Sequence, residues 1–145
     1  MKLFIAIAAV LLSTALAVPA IAAEAQHKLA IHVDQGDKQV MDMALNNAKN
    51  VRSYYEEKGE TVAIEIVTYG PGLHMLTADS PVKDRVAAMS LEDENLVFAA
   101  CGNTLEGMEK KAGGKVELLS EAKIVPSGVV RLMELQEQGY SYVRP

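Results

Sequence analysis

Cys101 is the single cysteine of this chain and the residue best placed for covalent chemistry. It follows the apolar run Asn95–Ala100 (NLVFAA), which reads as a buried strand, and it precedes Gly102-Asn103-Thr104-Leu105-Glu106. Asn103 with Glu106 three residues on fits a capping box, so a helix is expected to open there. Backbone N–H groups at a helix start carry partial positive charge and favour a thiolate, the nucleophilic form of the side chain. Gly102 removes a side chain that would crowd the sulfur. The opposite reading is equally open, because cysteine is a small hydrophobe that is often buried without reacting.

A cysteine hydrolase or acyl transferase needs an imidazole base beside the thiol. His27 lies in the amino-terminal tail, and His32 falls inside the first strand, where a satisfied core histidine is expected. His74 follows Gly70-Pro71-Gly72 at the end of the second strand, and it reaches Cys101 only if those strands are neighbours. His74, Met75 and Cys101 form a soft set suited to copper(I), with Met41 and Met43 as further thioethers. Met41, however, recurs at helical spacing as core methionines do. No strict ligand spacing is met, so no resident metal is expected. Nucleophile-elbow, P-loop and dinucleotide fingerprints are absent, and no cofactor is expected. Glu56-Glu57 and Glu92-Asp93-Glu94 read as solvated surface.

The elements that must position these residues alternate regularly. Leu29–Val33 reads as a strand, followed by the turn-like Asp34–Asp37. Lys38–Lys58 is helical, with Val40, Ala44, Ala48, Val51 and Tyr55 on one face and Gly59 as a left-handed cap. Thr61–Tyr69 is a buried strand that ends at Gly70-Pro71-Gly72. Ser80-Pro81 supplies a cap and a first helical residue for a helix to about Leu91. After the Cys101 strand and its helix to Gly113-Gly114, Leu118–Val125 is a weaker strand. Ser127 caps a helix through Gln138, with Val129, Leu132, Met133 and Gln136 along one side and Gly139 closing it. Tyr140–Val143 adds a last strand. This order predicts a three-layer α/β/α domain with a mainly parallel five-stranded sheet. Binding groups in such sheets lie outside the carboxyl ends of the strands. Those ends carry Asp34, Gly70-Pro71-Gly72, Cys101-Gly102-Asn103 and Pro126-Ser127.

Residues 1–22 read as a secretory signal peptide, with Lys2, an apolar run and small residues before a cut after Ala22. A cut after Ala25 is the alternative, and an uncleaved anchor is the competing reading. Export predicts a periplasmic location, where a lone thiol is unusual, and residues 23–145 remain as one domain with no membrane segment. The 145 residues are 50% hydrophobic, which excludes a disordered chain, and the charge of −5 argues against nucleic acid as a partner. One cysteine excludes an internal disulfide, a thioredoxin-type pair and a multi-cysteine zinc site. The five tyrosines outnumber phenylalanine and tryptophan together, and tyrosine suits interfaces with one wet edge.

Ile31–Asp34, Leu45–Asn50, Val67–Gly72 and Phe98–Thr104 together resemble the DsrE/DsrF-like family, and more narrowly its small single-domain, YchN-like branch. The likeness runs from about Lys28 to Pro145; Cys101–Thr104 and the spaced Asn47 and Asn50 are its most specific parts. It implies a homo-oligomer, a trimer or hexamer. It also implies sulfur binding or relay, with Cys101 carrying a persulfide between a donor and an acceptor protein. Asn103, Gly102 and Thr104 would hold the anionic sulfur, and Asp34, Asn47 and Asn50 would shape the strand-end loops; His74 is a further candidate binding residue. Relay proteins of the family work in the cytoplasm, and their cysteine context differs from this one. A non-enzymatic small-ligand or soft-metal binding module is the alternative.

Overall fold

The computed structural model describes residues 24–145; residues 1–22, read above as a signal peptide, lie outside the described residues. The strands are β1 (His27–Val33), β2 (Val62–Thr68), β3 (Leu96–Cys101), β4 (Ala122–Val125) and β5 (Ser141–Val143). The α-helices are α1 (Lys38–Glu56), α2 (Lys83–Glu92), α3 (Gly102–Ala112) and α4 (Gly128–Glu137). The five strands form one sheet in the order β4-β3-β2-β1-β5, and every pairing is parallel.

This order dictates the layers. From β1 to β4 the chain steps one way across the sheet, so right-handed crossovers place α1, α2 and α3 on the same face. From β4 it must return past the whole sheet to reach β5, so α4 covers the other face. The larger core lies on the three-helix side, where Ile31, Ile64, Ile66 and Phe98 meet Met41, Leu45 and Val86. On the other face Ala30, Val67 and Ala99 meet Leu132 and Leu135 of α4. The small side chains on the sheet let that helix lie close.

An ion pair also ties α4 down. Glu65 of β2 is 5% exposed and binds Arg131 in a fork, Nε to Oε1 and Nη2 to Oε2, both at 2.7 Å. Arg131→Met should therefore cost about 3 kcal/mol in a urea melt, because Glu65 would be left buried and unpaired. Glu65→Leu in the same chain should recover much of that loss. If Arg131→Met melts as the unsubstituted protein does, the fork is not what anchors α4.

Gly59, Gly113 and Gly139 occupy the left-handed region at φ +70°, +67° and +86°, where their helices were expected to stop. Helix starts follow the sequence less closely. Asp37, read as part of a turn, caps α1 by accepting the Gln39 N–H at 2.7 Å. Ser80 accepts the Val82 N–H, but α2 begins only at Lys83 after a turn. Ser127 precedes α4 without a side-chain cap bond. Helix α3 opens at Gly102, with Cys101 as its cap residue, so Asn103 is not the cap. Strand β3 enters the helix without an intervening turn, and the Asn103 N–H is directed to the Pro126 carbonyl at 3.3 Å. The break at Gly70 is a 3-10 helix, Gly70–Leu76, whose Leu73, Met75 and Leu76 are core residues. Leu118 forms only an isolated antiparallel bridge with Thr77 ahead of β4. On α4 the buried side is Gly128, Leu132 and Leu135, whereas Val129 and Met133 face outward, 55% and 57% exposed.

Candidate functional site

Strands β3 and β4 are neighbours, yet their following helices leave toward opposite faces. A crevice opens where adjacent strands part in this way, and ligands of open α/β sheets bind there. Cys101 is the last residue of β3 and pairs with Val125, the last of β4. The first turns of α3 and α4 thus converge on one thiol from opposite layers.

Their convergence governs its charge. Burial opposes the thiolate, but the Thr104 hydroxyl and the N–H groups of Gly128, Thr104 and Asn103 outweigh it, holding the Cys101 thiol below its ordinary pKa. Thr104 is held in turn, because its Oγ1 accepts the Gly70 N–H at 3.0 Å. Cys101 itself is 4% exposed. Gly128 lies so close that a Cβ there would stand 2.9 Å from Tyr69 Cδ1 and 3.2 Å from Cys101 Cβ. Gly102 has a different reason from the expected one. A Cβ on it would approach the Val125 carbonyl oxygen at 3.2 Å, so this glycine fits α3 against β4 rather than clearing the sulfur.

A row of polar side chains continues from Cys101 along the same end of the sheet. Tyr69 follows β2, and its ring lies 4.5 Å from that of His32 on β1. Burial first, and then Asp34, raise the Tyr69 pKa, which keeps its hydroxyl protonated. His32 Nδ1 meets Tyr142 Oη at 2.7 Å, whereas its Nε2 is buried without a partner. The expected satisfied core histidine is therefore half-satisfied, and burial lowers its pKa. Asp34 binds Arg144 in a fork at 3.1 and 2.9 Å, which fastens β5 to the carboxyl end of β1.

Among the residues expected near the thiol, Gly102, Asn103 and Thr104 adjoin it, Asn103 through its backbone. Asp34 lies at the same end of the sheet, beyond Tyr69. His74 is not brought there: its Nδ1 approaches Thr77 Oγ1 at 3.1 Å and Asp79 at 3.7 Å. Its neighbour Met75 is packed in the larger core. The soft set of His74, Met75 and Cys101 is thus not assembled. Among the described residues no group of three or more His, Cys, Asp or Glu could hold a metal. Asn47 and Asn50 stand on α1, across the sheet from the Cys101 side chain. Asn50 lines a separate cavity of about 480 Å³ with His27, Tyr54 and Tyr55, at the amino ends of the strands. An α-helix that returns beside its strand carries its later turns toward that end, so spacing alone could not place these asparagines with the thiol.

Gly128, Tyr69, His32 and Arg144 were not expected at the site. Gly128 had a signal, since it directly follows the strand-end pair Pro126-Ser127. Arg144 had none, because only the position of β5 brings it to Asp34.

No family model matches the chain, and no curated protein matches it. Among solved structures, the protein of unknown function MTH1491 from Methanobacterium thermoautotrophicum is similar, with a TM-score of 0.71 and 28% sequence identity. The match covers 83% of this chain and 100% of that one. The neighbour's own function is unknown. What Cys101 does must be argued from its surroundings.

Proposed function

We propose that the chain is an exported DsrE-like protein that binds or relays sulfur as a persulfide on Cys101. The observation that carries this reading is the seat of Cys101 at the start of α3 and against Gly128 of α4, where the surrounding polar groups favour its anion despite burial. The Cys101 thiolate would attack the outer sulfur of a donor R–S–SH. A new S–S bond forms, the donor's S–S bond breaks, and R–S⁻ leaves with the electron pair. The reverse step on an acceptor thiolate unloads the protein, so one cysteine suffices and no external oxidant is consumed. Residues 1–22 would direct the chain to the periplasm. A homo-oligomer, trimeric or hexameric, fits the outward apolar side chains Ile124, Val129, Val130 and Met133 around α4.

Burial of Cys101 favours the opposing role, an inert core thiol, and alkylation rate against pH separates the two. Folded, reduced protein should label with a midpoint below the free-thiol value of about 8.5. Thr104→Val, which removes one hydroxyl and keeps the shape, should move the midpoint upward. Labelling only after unfolding would refute the sulfur-carrier reading.

A further inference from the structure

His32 is 5% exposed, and its two ring nitrogens have unequal surroundings. Nδ1 meets Tyr142 Oη of β5 at 2.7 Å, whereas Nε2 is buried with no partner. A neutral imidazole forgoes one hydrogen bond in this arrangement. A protonated one carries an N–H on both nitrogens, so Nε2 would become a charged donor with no acceptor. The charged and titratable groups around the ring do not supply one. Asp34, on the same strand, gives both carboxylate oxygens to Arg144, and Arg144 itself repels a second cation. From the β2 side, Tyr69 lies tilted against the ring at 4.5 Å. Glu65, opposite Ala30, is held by Arg131 of α4, which also reaches Glu134. The buried α4 side chains packed on this face, Leu132 and Leu135, are apolar. Burial therefore outweighs the attraction of Asp34, and the His32 pKa lies below its ordinary value.

What can yield to a proton here is β5. Its three residues are all exposed, and it pairs only with β1, through Leu29–Ile31. Tyr140 stays behind, since its N–H bonds the Leu135 carbonyl at 3.0 Å and its side chain packs on the α4 core. Beyond Tyr140, the Tyr142–His32 bond and the Arg144–Asp34 fork tie side chains to the sheet, and both end where His32 lies. We propose that β5 is an acid-released clasp: protonation of His32 detaches Ser141–Pro145 from β1 while the other four strands stay paired. Detachment gives Nε2 to water and leaves Asp34 free to attract the imidazolium. The attached state takes up the proton less readily than the detached one, which fixes the sign. The clasp is complete above the ordinary histidine value of about 6.5 and weakens as pH falls from there toward the lower value of the attached state. One proton can change the attachment constant by at most about tenfold per pH unit.

Amide hydrogen exchange read by peptide mass tests this, with each rate referred to that of the unfolded chain at the same pH. Between about pH 7.5 and about pH 5, the peptide covering residues 141–145 should lose protection by about fivefold or more. Peptides from β2 and β3 should keep theirs. His32→Gln retains a polar group for Tyr142 but takes up no proton. In that variant the protection of 141–145 should stay constant within about twofold over the same range. Unchanged protection at 141–145 in the unsubstituted protein would overturn the proposal before any variant is made. Simultaneous loss at β2 and β3 would overturn it too, because acid would then be unfolding the whole domain. An equal pH slope in folded His32→Gln would place the titration at another group, Asp34 first, and take the switch away from His32.

Discussion

Protein carrying Cys101→Ser should fold yet take up no sulfane sulfur from polysulfide or thiosulfate, as read by intact mass after the donor is removed. The loss should be complete. A hydroxyl needs a general base to become a nucleophile, and none stands by position 101. His74 is occupied with Thr77 and Asp79, His27 is bonded to Glu60 at the far end of the sheet, and His32 lies tilted against Tyr69 with its Nδ1 on Tyr142. The new hydroxyl would inherit the donors that surround the sulfur, so the stability change should be within about 1–2 kcal/mol. Uptake by the serine variant equal to that of the unsubstituted protein would end the persulfide proposal.

The largest effect on stability is expected from Gly72→Ala. A Cβ at this position would lie 2.1 Å from the Val33 carbonyl oxygen and 2.9 Å from Asp34 Cα. Both obstacles are backbone, fixed by the end of β1, so no side chain can swing aside. The 3-10 helix or the strand end must move instead. The expected cost is about 4–5 kcal/mol, at the top of the range for single substitutions and a large share of an ordinary domain's stability. Because the displaced segment begins at Gly70, whose N–H holds Thr104, the Cys101 midpoint should rise as well. A thermal melt and the alkylation profile of the same sample test both effects. An unchanged melting temperature would mean that Gly72 does not sit as closely under β1 as the structure places it.

The architecture was legible because its signals are local and repeated. β-branched runs between amphipathic stretches define parallel strands, and Gly59, Gly113 and Gly139 mark helix ends that an L side chain would strain. Helix starts were less legible, because polar residues near a start compete. Asn103 has the right type and spacing, yet the direct passage of β3 into α3 makes Cys101 the cap residue. The outward side of α4 was also misplaced. Val129 and Met133 are apolar at helical spacing, but only the Leu132 and Leu135 side meets Ala30 and Ala99. For the candidate site, Cys101 could be named from the strand-to-helix passage, whereas Thr104 entered only through the family resemblance. Tyr69, His32 and Arg144 could not, because their proximity depends on strand order rather than on neighbours in sequence.

That order bears on how the chain is made. The free edge of β1 is covered by β5 through Leu29–Ile31 against Ser141–Val143, and the His32–Tyr142 and Asp34–Arg144 contacts also span 110 residues. During synthesis β1 emerges ahead of the other described elements, while the strand that shields it follows all of them. Until then an apolar strand presents an open row of amide and carbonyl groups, the kind of edge on which chains join one another. A nascent chain of this protein therefore has reason to be escorted until its last strand is complete, and a stalled or shortened one has reason to aggregate.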